Sequence, residues 1–266
     1  MSREPQVRRV LVSGGSRGIG LRIAHAFHEE GNAVALLARD AEQLERAARS
    51  FGGDGQRMLT VAADVRSSQS VEAAVARTVE GLGGIDILVN TAAAPADQLV
   101  NRPIAEFDED SLRAELETKT LGYLRTIKFV APHFIAQRWG RIINIGGQSV
   151  RHTGSIAATV RNAAISALTK NVADELGSYS VTANVVHPGF TVTERTPELL
   201  EGIAVRTNST VEEARKRLEA TTSNRKLNTA DDIAALVVFL ASERGSVING
   251  EALHAGGGVA GSIFSY

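Results

Sequence analysis

The stretch Ser13-Gly-Gly-Ser-Arg-Gly-Ile-Gly20 gathers residue types suited to holding a pyrophosphate. Glycine lets the backbone turn tightly and approach a ligand, and the free N–H groups of a following helix N-terminus favour negative charge. Glycines alone make ordinary turns, so the context carries the reading. Val10 to Val12 before the turn suit a buried strand, and Ile19, Ile23 and Phe27 after it share a helical face. Strand, tight turn and helix start together predict a dinucleotide site, with Gly14, Ser16, Arg17, Gly18, Ile19 and Gly20 around the phosphates. Other chemistries are less well supplied. There is no cysteine, which removes thiol nucleophiles, thiolate metal sites and disulfides. His25, His28, His133 and His254 are too dispersed to predict a metal site. His152 reads as an exposed loop residue, although a histidine is a natural acid near neutral pH. His187, directly before Pro188, reads as structural or cofactor-facing, and Tyr123 and Tyr179 as helix packing.

The elements that must position the glycine turn follow from periodicity. Ala33 to Ala38 reads as a strand ending at Arg39-Asp40, and Ala41 to Ser50 as an alanine-rich helix broken by Gly52-Gly-Asp-Gly55. Leu59 to Ala62 is the next strand. Ser68 to Leu82 is a helix with Val71, Val75 and Val79 on one face and Ser67 or Ser68 as its cap. Ile85 to Asn90 is a fourth strand. A long helix is expected from about Asp110 to Arg138, then a strand Arg141 to Ile145, a helix within Ile156 to Leu176 and a strand Thr182 to Val186 stopped by Pro188-Gly189. Residues 191–228 form a polar connection long enough to cover a substrate, after which a helix from Thr229 to Ala241 and a strand Glu251 to Ala255 close the chain. Strands alternating with helices imply parallel pairing, right-handed crossovers and a doubly wound α/β fold, whose ligands lie beyond the strands' carboxyl ends.

Composition narrows the partners. A formal net charge of −1 over 266 residues argues against nucleic acid and acidic membranes, and 43% hydrophobic residues suffice for one sizeable core. No apolar run approaches a membrane span, and the polar, basic start from Met1 to Arg9 lacks a signal peptide's apolar stretch. A cytoplasmic protein acting on small molecules is expected.

In this order the pieces resemble the short-chain dehydrogenase/reductase family, in its single-domain branch, over nearly the full chain. Ser13 to Gly20 is similar to the family's Thr-Gly-x-x-x-Gly-x-Gly. Asp64-Val65 matches its adenine-contacting pair and His187-Pro-Gly-Phe-Thr-Val-Thr193 its loop beside nicotinamide, whereas its Asn-Asn-Ala-Gly has become Asn90-Thr-Ala-Ala93. The resemblance implies one Rossmann-type domain spanning 1–266, an α/β doubly wound parallel sheet flanked by helices. It implies cofactor contacts at Asp64, Val65, Asn90, Ala92, Asn162, Pro188, Gly189, Thr191 and Thr193, and assembly as a homo-oligomer, dimer or tetramer, through the two long helices and the last strand. An acidic side chain ending the second strand would suit the ribose of NAD, whereas a cation suits a 2′-phosphate. That place is held by Arg39, and Arg17 lies in the turn, so NADP(H) is the expected cofactor.

The family's chemistry uses a serine, a tyrosine and a lysine in Tyr-x-x-x-Lys, and an asparagine on the preceding long helix. Aligned on Gly140 to Ile145 and on Leu168-Thr-Lys170, this sequence puts Gly146 and Gly147 at the serine, Ala158 at the tyrosine, Asn162 at the lysine and Lys119 at the asparagine. No tyrosine lies between Tyr123 and Tyr179 to take the role. A positioned acid contributes roughly 10²- to 10⁴-fold, whereas orientation of two reactants contributes about 7 to 11 kcal/mol, so hydride transfer to a ketone or quinone is weakened without being excluded. Lys119 is the first replacement for the relay, with Asn162 hydrogen-bonding the nicotinamide ribose, Arg161 and His152 as further donors near the mouth, and Ser149 near the lost serine if the loop takes another course. A substrate whose ketone is already hydrogen-bonded to a neighbouring phenol, as in aromatic polyketides, would supply its own acid. Two other classes keep the same pocket: a cofactor sensor or scaffold without turnover, and a non-redox isomerase, lyase or cyclase.

Overall fold

Segments rich in Val, Ile and Leu without polar alternation are buried on both faces, and these form the strands of a parallel sheet. In the computed structural model, which describes residues 7–52, 57–93 and 103–260, they are β1 (Arg9–Ser13), β2 (Ala33–Ala38), β3 (Met58–Ala62), β4 (Ile87–Asn90), β5 (Gly140–Ile145) and β6 (Val181–Pro188), followed by the short β7 (Thr191–Val192) and β8 (Asn228–Thr229) and by β9 (Ala252–Ala255). Helices α1 (Gly18–Glu29), α2 (Ala41–Arg49), α3 (Ser68–Leu82), α4 (Glu109–Glu115), α5 (Gly122–Gln137), α6 (Ile156–Leu176), α7 (Thr196–Arg206), α8 (Val211–Ala220) and α9 (Ala230–Ala241) lie between them. The main sheet has the order β3-β2-β1-β4-β5-β6-β9 and every pair is parallel. The order reverses between β1 and β4, which opens a crevice at their carboxyl ends. This is the doubly wound α/β sheet expected from the alternation of elements.

Alternate strand residues face opposite layers. Leu11, Leu37, Leu88 and Ile142 pack on Val71, Val75, Val130 and Phe134 of α3 and α5, and on Val172 of α6. Val10, Val12, Leu36 and Val89 pack on Ile23 and Phe27 of α1 and on Val237 and Leu240 of α9.

Several boundaries differ from expectation for identifiable reasons. Strand β4 starts at Ile87 because Asp86 turns to hold Arg9, whose backbone N and Nε each lie 2.8 Å from Asp86 Oδ2. Strand β6 runs on to Pro188 because β9 continues to pair with it, His187 with His254 and Pro188 with Ala255. The long helix expected over Asp110 to Arg138 is not continuous: a π-helical turn, Leu116–Leu121, separates α4 from α5. Two threonines flank Lys119 there and Gly122 follows, all weak helix formers. Segment 191–228 folds into β7, α7, α8 and the start of β8, with β7 paired to β8 at its base. The break placed at Gly53 to Gly55 lies outside the described residues.

Candidate active site

The glycine turn is built where β1 ends. Gly14 donates its N–H to Leu37 O at 2.7 Å, and Thr91 bonds Ser13 O through both its N (2.8 Å) and its Oγ1 (2.7 Å), so the turn is tied to β2 on one side and to the end of β4 on the other. A Cβ on Gly20 would lie 2.4 Å from both Gly14 O and Thr91 Oγ1, and one on Gly14, at φ +78°, would lie 2.6 Å from Ala92 N. Gly18 faces open space by comparison, its nearest neighbours 3.8 Å and 3.9 Å away. At the start of α1 the Arg17 side chain makes no capping bond and the first turn has no acidic residue. The amides of Gly18, Ile19 and Gly20 therefore present uncompensated donors to whatever fills the crevice.

The crevice is a cleft of about 400 Å³. Of the residues singled out from sequence, Gly14, Ser16, Arg17, Gly18, Ile19, Gly20, Arg39, Val65, Ala92, Lys119, Arg161 and Thr193 line it. Leu37, Ala38, Gln43, Thr118, Glu194 and Arg195 line it too. The carboxyl end of β2 with the start of α2, the π-helical turn and the fold of 191–228 bring these last six there, and none of these is written in a motif. Arg17 and Arg39, the arginines expected at a 2′-phosphate, are both exposed. Two of the nearby carboxylates are engaged elsewhere: Asp40 caps α2 by accepting from Gln43 N at 3.0 Å, and Asp64 pairs with Arg66 at 2.7 Å. That guanidinium holds the Asp64 carboxyl below its ordinary value, with Arg39 adding a smaller, more distant pull. Asp64, expected at the adenine, thus turns its carboxylate to Arg66 and is not part of the cleft lining.

Asn90 stands behind the wall. Its Oδ1 accepts from Thr126 Oγ1 (2.7 Å), its Nδ2 donates to Asn144 Oδ1 (2.9 Å), and Asn144 Nδ2 continues to Thr169 Oγ1 (2.9 Å). This fully buried relay of amides and hydroxyls clamps α5 and α6 to the sheet. Pro188, Gly189 and Thr191 continue β6 into β7 beyond the lining, with Gly189 N bonded to Ala255 O.

The side chains expected at the family's catalytic positions lie near one another, with two corrections. Lys119 sits in the π-helical turn, only 3% exposed, and donates from Nζ to Gly146 O at 2.8 Å and to Asn162 Oδ1 at 3.2 Å. Asn162 Nδ2 in turn donates to Ser149 Oγ at 2.7 Å. Burial, then the neighbouring Arg161, pushes the Lys119 ammonium down to about 7, with Glu115 acting the other way. The first correction concerns Arg161. It is not a free donor at the mouth but a buried side chain ion-paired with Glu115 of α4, because helix α6 turns it inward against that carboxylate. Its Nε has no hydrogen-bond partner among the described residues. The second is that Asn162, which is buried, and Ser149, which is half-buried, are joined in a chain to Lys119 and are not among the residues that line the cleft.

His187, read from sequence as structural or cofactor-facing, takes a structural place beside the site. Its Nδ1 lies 3.0 Å from Gly147 N, its Nε2 lies 2.9 Å from Ser166 Oγ, and its ring stacks on His254 at 5.0 Å. Burial first, then His254 and Lys119, lowers it to about 4, so at neutral pH it is an uncharged brace for the Gly146-Gly147 turn that receives Lys119. Tyr123, read as packing, is fully buried and donates its hydroxyl to Ile145 O at 3.0 Å. No group of three His, Cys, Asp or Glu suited to a metal occurs among the described residues.

A turn that only glycine can form, a donor-lined helix start and a cleft at the sheet's crossover point fit a dinucleotide on geometry alone. Comparison with known proteins agrees. The family model described as enoyl-(acyl carrier protein) reductase matches residues 14–260. The short-chain reductase NovJ of Streptomyces niveus is 32% identical over 249 residues, 93% of this chain and 92% of that protein. The 3-oxoacyl-(acyl-carrier-protein) reductase FabG of Staphylococcus aureus strain Mu50 is 31% identical over 255 residues, 95% and 98% of the two chains. The crystal structure of L-sorbose reductase from Gluconobacter frateurii, complexed with NADPH and L-sorbose, superposes with a TM-score of 0.86 at 26% identity, covering 97% of this chain and 98% of that one. With the fold, the glycine turn and the matched length in agreement, the chain belongs to the short-chain dehydrogenase/reductase family.

Proposed function

We propose that this protein is an NADPH-dependent ketone or quinone reductase in which Lys119, rather than a tyrosine–lysine pair, faces the reacting carbonyl oxygen. The observation that carries the reading is Lys119 itself: a cation on the cleft wall, held by Gly146 O and Asn162 Oδ1 and poised near neutrality. An acid is most effective when its pKa lies near the working pH. NADPH, when bound, supplies the hydride. The chain's own part is to hold the pyrophosphate on the amides of Gly18 to Gly20, to receive the 2′-phosphate between Arg17 and Arg39, and to present the ammonium of Lys119 where negative charge develops on the carbonyl oxygen. With Ala158 and Asn162 at the family's tyrosine and lysine positions, Lys119 is the one lysine lining the cleft among the described residues. Segment 191–228 carries Thr193, Glu194 and Arg195 to the cleft and acts as the substrate cover. Exposed Leu121, Leu124, Ile156 and Val160 along α5, α6 and the π-helical turn support assembly with further copies.

The test is to follow nicotinamide absorbance with NADPH and a panel of aromatic ketones and quinones. Turnover supports a reductase, and binding without turnover on any carbonyl overturns it in favour of a sensor. If simple unactivated ketones react as readily as hydroxyaryl ketones, the substrate supplies no acid of its own. Cofactor choice has a separate test. Arg39→Ala is expected to weaken NADPH by about ten- to a hundred-fold, the range of a charge-assisted hydrogen bond, while leaving NADH nearly unchanged. Equal losses for both, measured by fluorescence titration, remove the phosphate role.

A further inference from the structure

A neutral lysine amine has two N–H donors and one lone pair. Lys119 has two acceptors, Gly146 O at 2.8 Å and Asn162 Oδ1 at 3.2 Å, so the uncharged form satisfies both and keeps its lone pair at the remaining tetrahedral position, on a residue that lines the cleft. We propose that Lys119 is also a covalent carbonyl-binding site, capturing ketones and aldehydes that enter the cleft as an iminium.

The surroundings favour the nucleophilic form. Desolvated lysines and lysines beside another cation are the ones that become nucleophiles near neutral pH, and Lys119 is both, being buried and facing the Arg161 guanidinium on α6. The charged and titratable groups around it are Glu115 on α4, which is ion-paired with Arg161 and opposes its effect, and His187 on β6, which is neutral. The step balances without an oxidant. The amine lone pair forms a C–N bond to the carbonyl carbon as the carbonyl π pair moves to oxygen. The carbinolamine takes up one proton and loses water, leaving a cationic C=N bond to the lysine. The proposal shares the cleft with the reductase reading but not its hydride transfer, and each can fail alone.

The purified protein is incubated with cyclohexanone or with benzaldehyde, treated with cyanoborohydride and digested for mass spectrometry. The reductant supplies a hydride to the iminium and fixes it as a secondary amine. The expected result is one adduct per chain on the Lys119 peptide, forming faster than on Lys128, Lys170, Lys216 or Lys226, which are all exposed. No adduct, or an adduct spread evenly over the exposed lysines, overturns the proposal. Competitive labelling with trace acetic anhydride across pH needs no variant. Lys119 reactivity is expected to rise through about pH 7, well below the exposed lysines, and co-titration with them overturns the proposal. NADPH oxidation with a ketone is measured on the same preparation. Intact turnover without trapping removes the iminium and leaves the reductase, and trapping without turnover does the reverse.

Discussion

Replacing Lys119 by methionine is expected to lower ketone reduction by roughly 10²- to 10⁴-fold, the contribution of a positioned acid, while NADPH binding changes little. The side-chain lengths are similar, and the residues proposed to hold the phosphates, Gly18 to Gly20, Arg17 and Arg39, are on other elements of the cleft wall. Loss therefore falls on kcat and not on cofactor affinity. Lys119→Arg keeps a cation but not an acid, because a guanidinium does not deprotonate in proteins. It is expected to leave turnover as low as methionine does. Steady-state kinetics on both variants decide the matter, and an unchanged kcat in the methionine variant sinks the assignment.

The same lysine leaves a signature in stability. Its ammonium is depressed from the usual 10.5 to about 7 in the folded protein, so between those values the unfolded chain binds a proton that the folded chain does not. Stability rises with pH wherever the unfolded state holds more protons, by about 1.4 kcal/mol per pH unit for one group. The wild type should therefore gain on Lys119→Met by that slope from about pH 7 upward, reaching about 5 kcal/mol across the whole window. Below it both states are protonated and the difference is constant. The stranded acceptors Gly146 O and Asn162 Oδ1 shift the methionine variant by a fixed amount, about 1–3 kcal/mol for each buried group left unpaired, and do not alter the slope. Urea unfolding of both proteins at pH 7 and pH 9 measures it, and parallel stabilities would show that Lys119 is charged throughout.

What sequence made legible was whatever depends on local pattern. Buried strands and amphipathic helices are short-range events, so Ala33–Ala38 and Ser68–Leu82 have the bounds read from their pattern, and the helix expected within Ile156 to Leu176 fills that whole span. The glycine turn was legible because backbone geometry demands a residue type there. The π-helical turn was not: its threonines and glycine weaken a helix without saying whether it kinks, widens or ends. Yet that widening sets how Lys119 is presented to the cleft.

Partnerships across the sheet were least legible. Nothing near Arg161 in sequence names Glu115, 46 residues away, and an arginine on a helix reads as solvent-exposed until its partner is known. Asn90, which the family resemblance puts at the cofactor, is paired by the register with Asn144, and both side-chain amides bond within the interior. His187 read equally well as structural. Its role emerged only when β6 placed its Nδ1 against Gly147 and β9 placed His254 on its face. Residues defined by backbone demand were thus recoverable, and residues defined by a distant partner were not.

That distinction predicts opposite behaviour for two glycines of the turn. Gly20→Ala is expected to abolish measurable dinucleotide binding and to destabilise the fold by about 1–3 kcal/mol, the usual cost of overpacking. Its new Cβ would sit 2.4 Å from Gly14 O and from Thr91 Oγ1. The first is backbone of the turn itself, and the second is held by its bond to Ser13 O. Neither can retreat without moving β1 or the end of β4, so the turn must open and its amides lose their convergence. Gly18→Ala meets nothing closer than 3.8 Å and is resisted only by its φ of +57°. For one residue in the left-handed region that strain is about 1–2 kcal/mol, with NADPH affinity reduced less than in Gly20→Ala. Thermal melts and NADPH titrations on the two variants test the ordering. If Gly18→Ala is the more damaging, close approach to the phosphate rather than packing of the turn governs the site, and Gly18 rather than Gly20 is the residue against which the pyrophosphate lies.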